Sequence, residues 1–175
     1  MGLHYFHLDA DTRANMLTEI DHDISARVLY ISDRLSPRGA ASYPHLIKEA
    51  ASSGTDDSLS QAIRPLLNSH QKPRRMRGGR VATPVMPINA HETLAEGEFN
   101  RFYMRALCLR ALGAGETTVE VYRAKHVGRP RPDSRAKVGL RIDAQRVLEL
   151  LRAKPSVDTA LGLPPGPSSG LSVKL

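Results

Sequence analysis

The chain has 175 residues, 41% hydrophobic and 25% charged, with a formal net charge of +7 and a single cysteine, Cys108. This length supports one ordinary globular core. The lone cysteine excludes an internal disulfide and a multi-cysteine zinc site, and no apolar run approaches the roughly 18 to 20 residues that span a bilayer.

In chain order, "LDADTRANMLTEIDHDI" places Leu17, Ile20 and Ile24 on one face, with Asp9 or Asp11 as N-cap, and predicts a helix. "ARVLYIS" is short and β-branched and predicts a strand, and Pro37 and Gly39 in the following "DRLSPRG" predict a turn. Two shorter helices are expected in "YPHLIKEAA", stopped near Gly54, and in "DDSLSQAI", stopped by Pro65. Residues 69–89 lack a helical period, and Pro84 and Pro87 in "VATPVMPIN" hold that stretch out of a helix or a central strand.

"NAHETLAEGEFNRFYMRALCLRALGAG" is the strongest local signal. Asn89 with Glu92 three residues on forms a capping-box pattern, and Ala95, Phe99, Phe102, Ala106 and Leu109 give one apolar stripe. These features predict a long helix over about 90–112, with Gly97 as its weak point and Gly113 and Gly115 as its end. "TTVEVYRAKHV" then predicts a strand, Asp143 caps a helix in "AQRVLELLRA" that Pro155 ends, and "LSVKL" has the alternation of an edge strand. The expected fold is α+β: a helical N-terminal lobe over 1–68 with one short strand, a basic, Pro-containing linker over 69–89, and an αβαβ C-terminal lobe over 90–175 around one long amphipathic helix. The two lobes are expected to form one compact unit.

The basic charge is unevenly spread. Residues 1–70 carry six Lys/Arg against nine Asp/Glu, residues 71–81 carry five against none, and residues 82–175 carry fourteen against nine. Such asymmetry marks contact with a polyanion or an acidic protein face. The candidate contacts are Lys72, Arg74, Arg75, Arg77 and Arg80 of "QKPRRMRGGR", and a second cluster of Arg129, Arg131, Arg135 and Lys137 in "GRPRPDSRAK". Flexible cations beside Gly78 and Gly79 suit phosphate neutralisation, which adds affinity without sequence choice; a solvated interlobe loop is the bland alternative. Arg101 and Arg105, one turn apart and off the apolar stripe, are expected to pair with Glu98 and other local acids on a solvated face.

His4 with His7, His22 between Asp21 and Asp23, and His45 with Glu49 lack the spacing of a built metal site, so no metal and no cofactor is expected. GxGxxG, phosphate-loop and GxSxG patterns are absent. "PDSRAK" and "VEVYRAK" hold pieces of a nuclease-like pattern in reversed order, with Glu120 and Lys125 wrongly spaced, which leaves metal-dependent phosphodiester cleavage as a third reading. Cys108 reads as a small packing residue. "EFNRFYMRALCLRAL" with "LPPGPSSGLSVKL" resembles sequences of bacterial and bacteriophage proteins, which implies a phage or mobile-element setting.

The leading expectation is a non-enzymatic basic protein that contacts nucleic acid without strong sequence preference. The alternative is a structural assembly subunit, a homo-oligomer or part of a larger assembly, that docks through its Pro/Gly tail and edge strand. The N-terminus lacks a signal-peptide core and a myristoylation pattern, so the expected setting is cytoplasmic or within a viral particle, away from membranes.

Overall fold

In the computed structural model, which describes residues 2–76, 78–164 and 168–175, the first helix is α1 (Ala10–Ser25). The side chain of Asp9 opens it by accepting a hydrogen bond from the Thr12 amide at 3.0 Å. The buried face of α1 is Thr12, Met16, Glu19, Ile20 and Asp23, whereas Leu17 and Ile24 are only partly buried. The expected apolar stripe is therefore rotated to take in two acids.

The expected strand in "ARVLYIS" does not form. Arg27 adopts φ 57°, and the amides of Val28 and Leu29 both turn back onto the Asp23 carbonyl, which leaves an unpaired extended segment with Val28, Tyr30 and Ile31 exposed. Pro37 and Gly39 likewise start a helix rather than a turn. Ser36 caps α2 (Pro37–Ser53) by accepting from the Gly39 amide, and Pro37 sits in the first turn, where its missing N–H costs nothing. Gly39 is packed so closely on Leu66 that a Cβ would lie 2.5 Å from the Leu66 carbonyl oxygen. α3 (Asp56–Ile63) comes next, and a single 3-10 turn, Arg64–Leu66, closes it at Pro65.

Strands β1 (Arg74–Arg75) and β2 (Val81–Ala82) fold the expected linker into an antiparallel hairpin. It leads directly into α4 (Ala90–Gly113), the long helix predicted from sequence. The expected capping box is absent, because Asn89 makes no side-chain cap bond. From Leu94 to Cys108 every residue of α4 except Gly97 is buried. Such a helix has no solvent face: α1 and α3 pack against it from the first half of the chain, and α6 (Ala144–Ala153) from the second.

The remaining strands, β3 (Thr118–Arg123), β4 (Arg141–Asp143) and β5 (Leu171–Lys174), form an antiparallel sheet in the order β4-β3-β5. Asp143 caps α6 by accepting from the Arg146 amide at 2.7 Å. The basic loop contains a short helix, α5 (Pro132–Lys137), and another, α7 (Val157–Ala160), precedes the tail. "LSVKL" is an edge strand of the protein's own sheet, with Leu171, Ser172 and Val173 buried, and Asn100 of α4 anchors it by donating to the Leu171 carbonyl at 2.9 Å. One continuous apolar cluster runs from Met16 and Ile20 through Phe99, Phe102 and Leu107 to Leu148 and Val173. No helix among the described residues is long and apolar enough to cross a membrane.

Candidate nucleic-acid interface

Alternating pairing makes the 69–86 segment a two-stranded arm. The Met86 amide donates to the Ser69 carbonyl, His70 bridges Val85, Gln71 donates to Pro84, Arg74 faces Ala82 and Arg75 faces Val81. Near the tip, the Met76 amide donates to the Arg80 carbonyl at 2.8 Å. Gly78 and Gly79 turn the chain at φ 91° and 80°, a region that side chains with a Cβ rarely enter. The two prolines that exclude a central strand are compatible with this exposed ribbon, whose outer amides need no partner strand.

The arm is fixed at its base and open along its length. Leu35 bridges Leu67, and Asn68 donates to the Asp33 and Leu35 carbonyls. Every described residue from Lys72 to Val81 is exposed, and β1 and β2 pack principally on each other. Among the described residues no ion pair engages Arg74, Arg75 or Arg80, while Lys72 reaches Asp33 at 3.4 Å. Arg77 lies outside the described residues.

The second basic cluster is more committed to the fold. Arg131 donates to Asp158 at 2.9 Å and to the Pro164 carbonyl at 3.2 Å, and Lys137 is half-buried close to Gly162. Arg129 and Arg135 are exposed. The arm runs into α4 at Ala90, and Lys125, at the start of the second loop, pairs with Glu96 of the same helix.

Arg101 and Arg105 depart from expectation. They are 2% and 0% exposed and lie in the centre of the molecule, so the expected solvated face does not exist. Arg105 donates through Nε to Glu19 Oε2 at 2.7 Å, and through Nη1 and Nη2 to the two oxygens of Asp23 at 2.7 and 2.8 Å. Arg152 reaches Glu19 from α6 at 3.0 Å. Arg101 pairs with Glu98 at 2.8 Å as expected, but in the interior, where Tyr43 also donates to Glu98 at 3.3 Å. Both guanidinium groups lie over the Phe102 ring, at 4.4 and 4.9 Å from its centroid.

Three arginines thus meet three carboxylates. Burial pushes the Glu19 and Asp23 carboxyls up, but the hydrogen bonds and charge of their arginines outweigh it and hold both below their ordinary values. Glu98 is raised, because burial outweighs the single Arg101 charge. The sequence signal for this seam was the 98, 101, 105 spacing on a helix that carries Leu94, Ala95, Phe99, Phe102, Tyr103, Met104, Ala106 and Leu107 around them, more apolar positions than a single stripe needs.

Glu120 pairs with Lys174 at 3.1 Å and Lys125 with Glu96, so the pieces of the nuclease-like pattern are tied to separate partners. No group of three or more His, Cys, Asp or Glu among the described residues is arranged to hold a metal ion. Cys108 is fully buried, and burial pushes its thiol up to about 12, in keeping with a packing role. Asp56, at the start of α3, accepts from the Leu3 amide at 2.8 Å; burial, assisted by the charges of Asp57 and Glu96, raises its carboxyl to about 6. No family model, curated protein or solved structure matches the chain.

Proposed function

We propose that this is a non-enzymatic nucleic-acid-binding protein that engages phosphates through the 69–86 arm, with Arg129 and Arg135 as auxiliary contacts. One observation carries the reading: the arm presents Arg74, Arg75 and Arg80 exposed and without ion-pair partners among the described residues, while Arg101 and Arg105 of α4 are paired with acids in the interior and the exposed Arg152 of α6 is held by Glu19. Unpaired guanidinium groups on an open ribbon cost nothing to desolvate until a polyanion arrives, and contact then releases its condensed counterions. Backbone-phosphate contacts of this kind give affinity with little sequence preference.

The test is fluorescence anisotropy of the full chain on mixed-sequence nucleic acid over a salt series. Replacing Arg74, Arg75, Arg77 and Arg80 together by Ala should weaken binding at every sequence and reduce the logarithmic salt slope by about one unit per lost phosphate contact. Equal affinity of parent and variant at low salt would overturn the reading, and retained binding to an acidic protein face alone would reassign the arm to a protein partner.

A further inference from the structure

The chemistry of the arm distinguishes among nucleic acids, and, resting on its reading as a phosphate-binding element, we infer that its partner is B-form duplex DNA, with the ribbon seated in the major groove. Consecutive residues of a strand project to opposite sides, and directly opposed residues of an antiparallel pair share a side. The register Arg74↔Ala82 and Arg75↔Val81, with Met76 opposite Arg80, therefore puts Arg74, Met76 and Arg80 on one face and Arg75 and Val81 on the other. Up to Val81 both faces are open to solvent; from Ala82 to Met86 alternate residues are half-covered by the body.

Cations on both faces of a thin ribbon call for phosphates on both sides. A groove walled by two backbones supplies them, whereas a flat polyanionic surface or a strand laid along one face would leave Arg75 or the Arg74–Arg80 pair in water. The B-form major groove, about 12 Å wide, admits a two-stranded ribbon, and the minor groove, about 6 Å wide, does not without deformation. The major groove of A-form RNA is too deep and narrow to enter.

Composition supports the same choice. Residues 71–86 contain no aromatic side chain, and the arm's one ring is His70 at its base, held by the Ser69 hydroxyl at 3.0 Å, so the open length of the arm has no platform on which successive unpaired bases could stack. The exposed apolar side chains near the tip are Met76 and Val81, 45% and 60% exposed and on opposite faces, suited to the thymine methyl groups that line the major groove.

The experiment measures the full chain on a mixed-sequence duplex DNA, on the same sequence as duplex RNA, and on the single DNA strand, at one salt concentration. Methyl green then competes for the major groove and netropsin for the minor groove. The inference expects duplex DNA to bind at least about tenfold more tightly than either alternative, competition by methyl green, and indifference to netropsin. It also expects Arg75→Ala and Arg74→Ala each to weaken duplex binding several-fold, with unchanged circular dichroism, since both side chains are exposed.

Equal or tighter binding of RNA or of the single strand, displacement by netropsin but not methyl green, or loss confined to one face would overturn the groove assignment. If the arm variants still reduced binding in those cases, the nucleic-acid reading would stand. If none of the three probes bound, both would fall.

Discussion

The arginines of α4 and those of the arm carry the same charge in opposite surroundings. Arg105 is enclosed by Glu19 and Asp23, with Nε, Nη1 and Nη2 each donating to one of their carboxylates, at the point where α1, α4 and α6 meet. Arg74, Arg75 and Arg80 stand in solvent on a hairpin that touches the body at its base. A buried charge is tolerable only when paired, and its partners must come from the same chain; an exposed one contributes little to folding and keeps its full charge for a partner. The difference divides these arginines into a pair held by carboxylates of the same chain and a set open to solvent.

The largest effect should come from breaking the seam at its centre. Arg105→Met leaves Glu19 and Asp23 buried against an apolar chain and should cost about 3 to 5 kcal/mol by urea unfolding at neutral pH. Glu19 and Asp23 titrate below their ordinary values in the folded parent, so their contribution is present above pH ~4 and is lost as pH falls through the lowered folded values. The penalty of the variant should therefore shrink on acidification below about pH 4. A cost under about 1 kcal/mol at neutral pH would place Arg105 among the dispensable charges.

Asp56→Asn should act in the opposite pH direction. The carboxyl titrates at about 6 in the fold, above an unfolded value near 3.9, so its stability contribution is complete at low pH and is lost as pH rises through about 6. Asparagine keeps an acceptor for the Leu3 amide and does not ionise. Relative to the parent, the variant should gain on the order of 2 to 3 kcal/mol between pH 4 and pH 7.5, read from thermal melts corrected to a common temperature.

Arg101→Met should cost less than Arg105→Met, about 2 kcal/mol, because among the described residues Arg101 has one close carboxylate, Asp23 being 3.9 Å away, and a buried Nε without a hydrogen-bond partner. The raised Glu98 carboxyl would take up a proton when left alone. Equal costs for the two substitutions would mean that the seam behaves as one unit instead of two pairs.

The smallest effect on stability is expected where the effect on binding is greatest. Arg74, Arg75 and Arg80 replaced together by Ala should shift the unfolding free energy by no more than about 0.5 kcal/mol. A larger loss would show that the arm is packed into the fold and would erase the contrast with the seam.

Local chemistry alone determined a large part of this molecule. The caps at Asp9 and Asp143, the Pro155 stop, the 90–113 helix and the β3 and β5 strands depend on side chain-to-backbone bonds and on periodicity within a few residues, and they are readable without neighbours. The basic decapeptide was equally plain as composition. Tertiary structure decided the rest. "ARVLYIS" has strand propensity but no strand lies beside it, and β pairing needs a partner that propensity cannot provide. Pro84 and Pro87 announced a break, yet only the pairing of Ser69–Arg75 with Val81–Met86 made the break a two-faced arm. Arg101 and Arg105 looked like surface residues because charge normally stays in water. Whether it does depends on what surrounds the helix, and α4 became the centre of the core only when α1, α3 and α6 closed on it and brought the acids of α1 against its arginines.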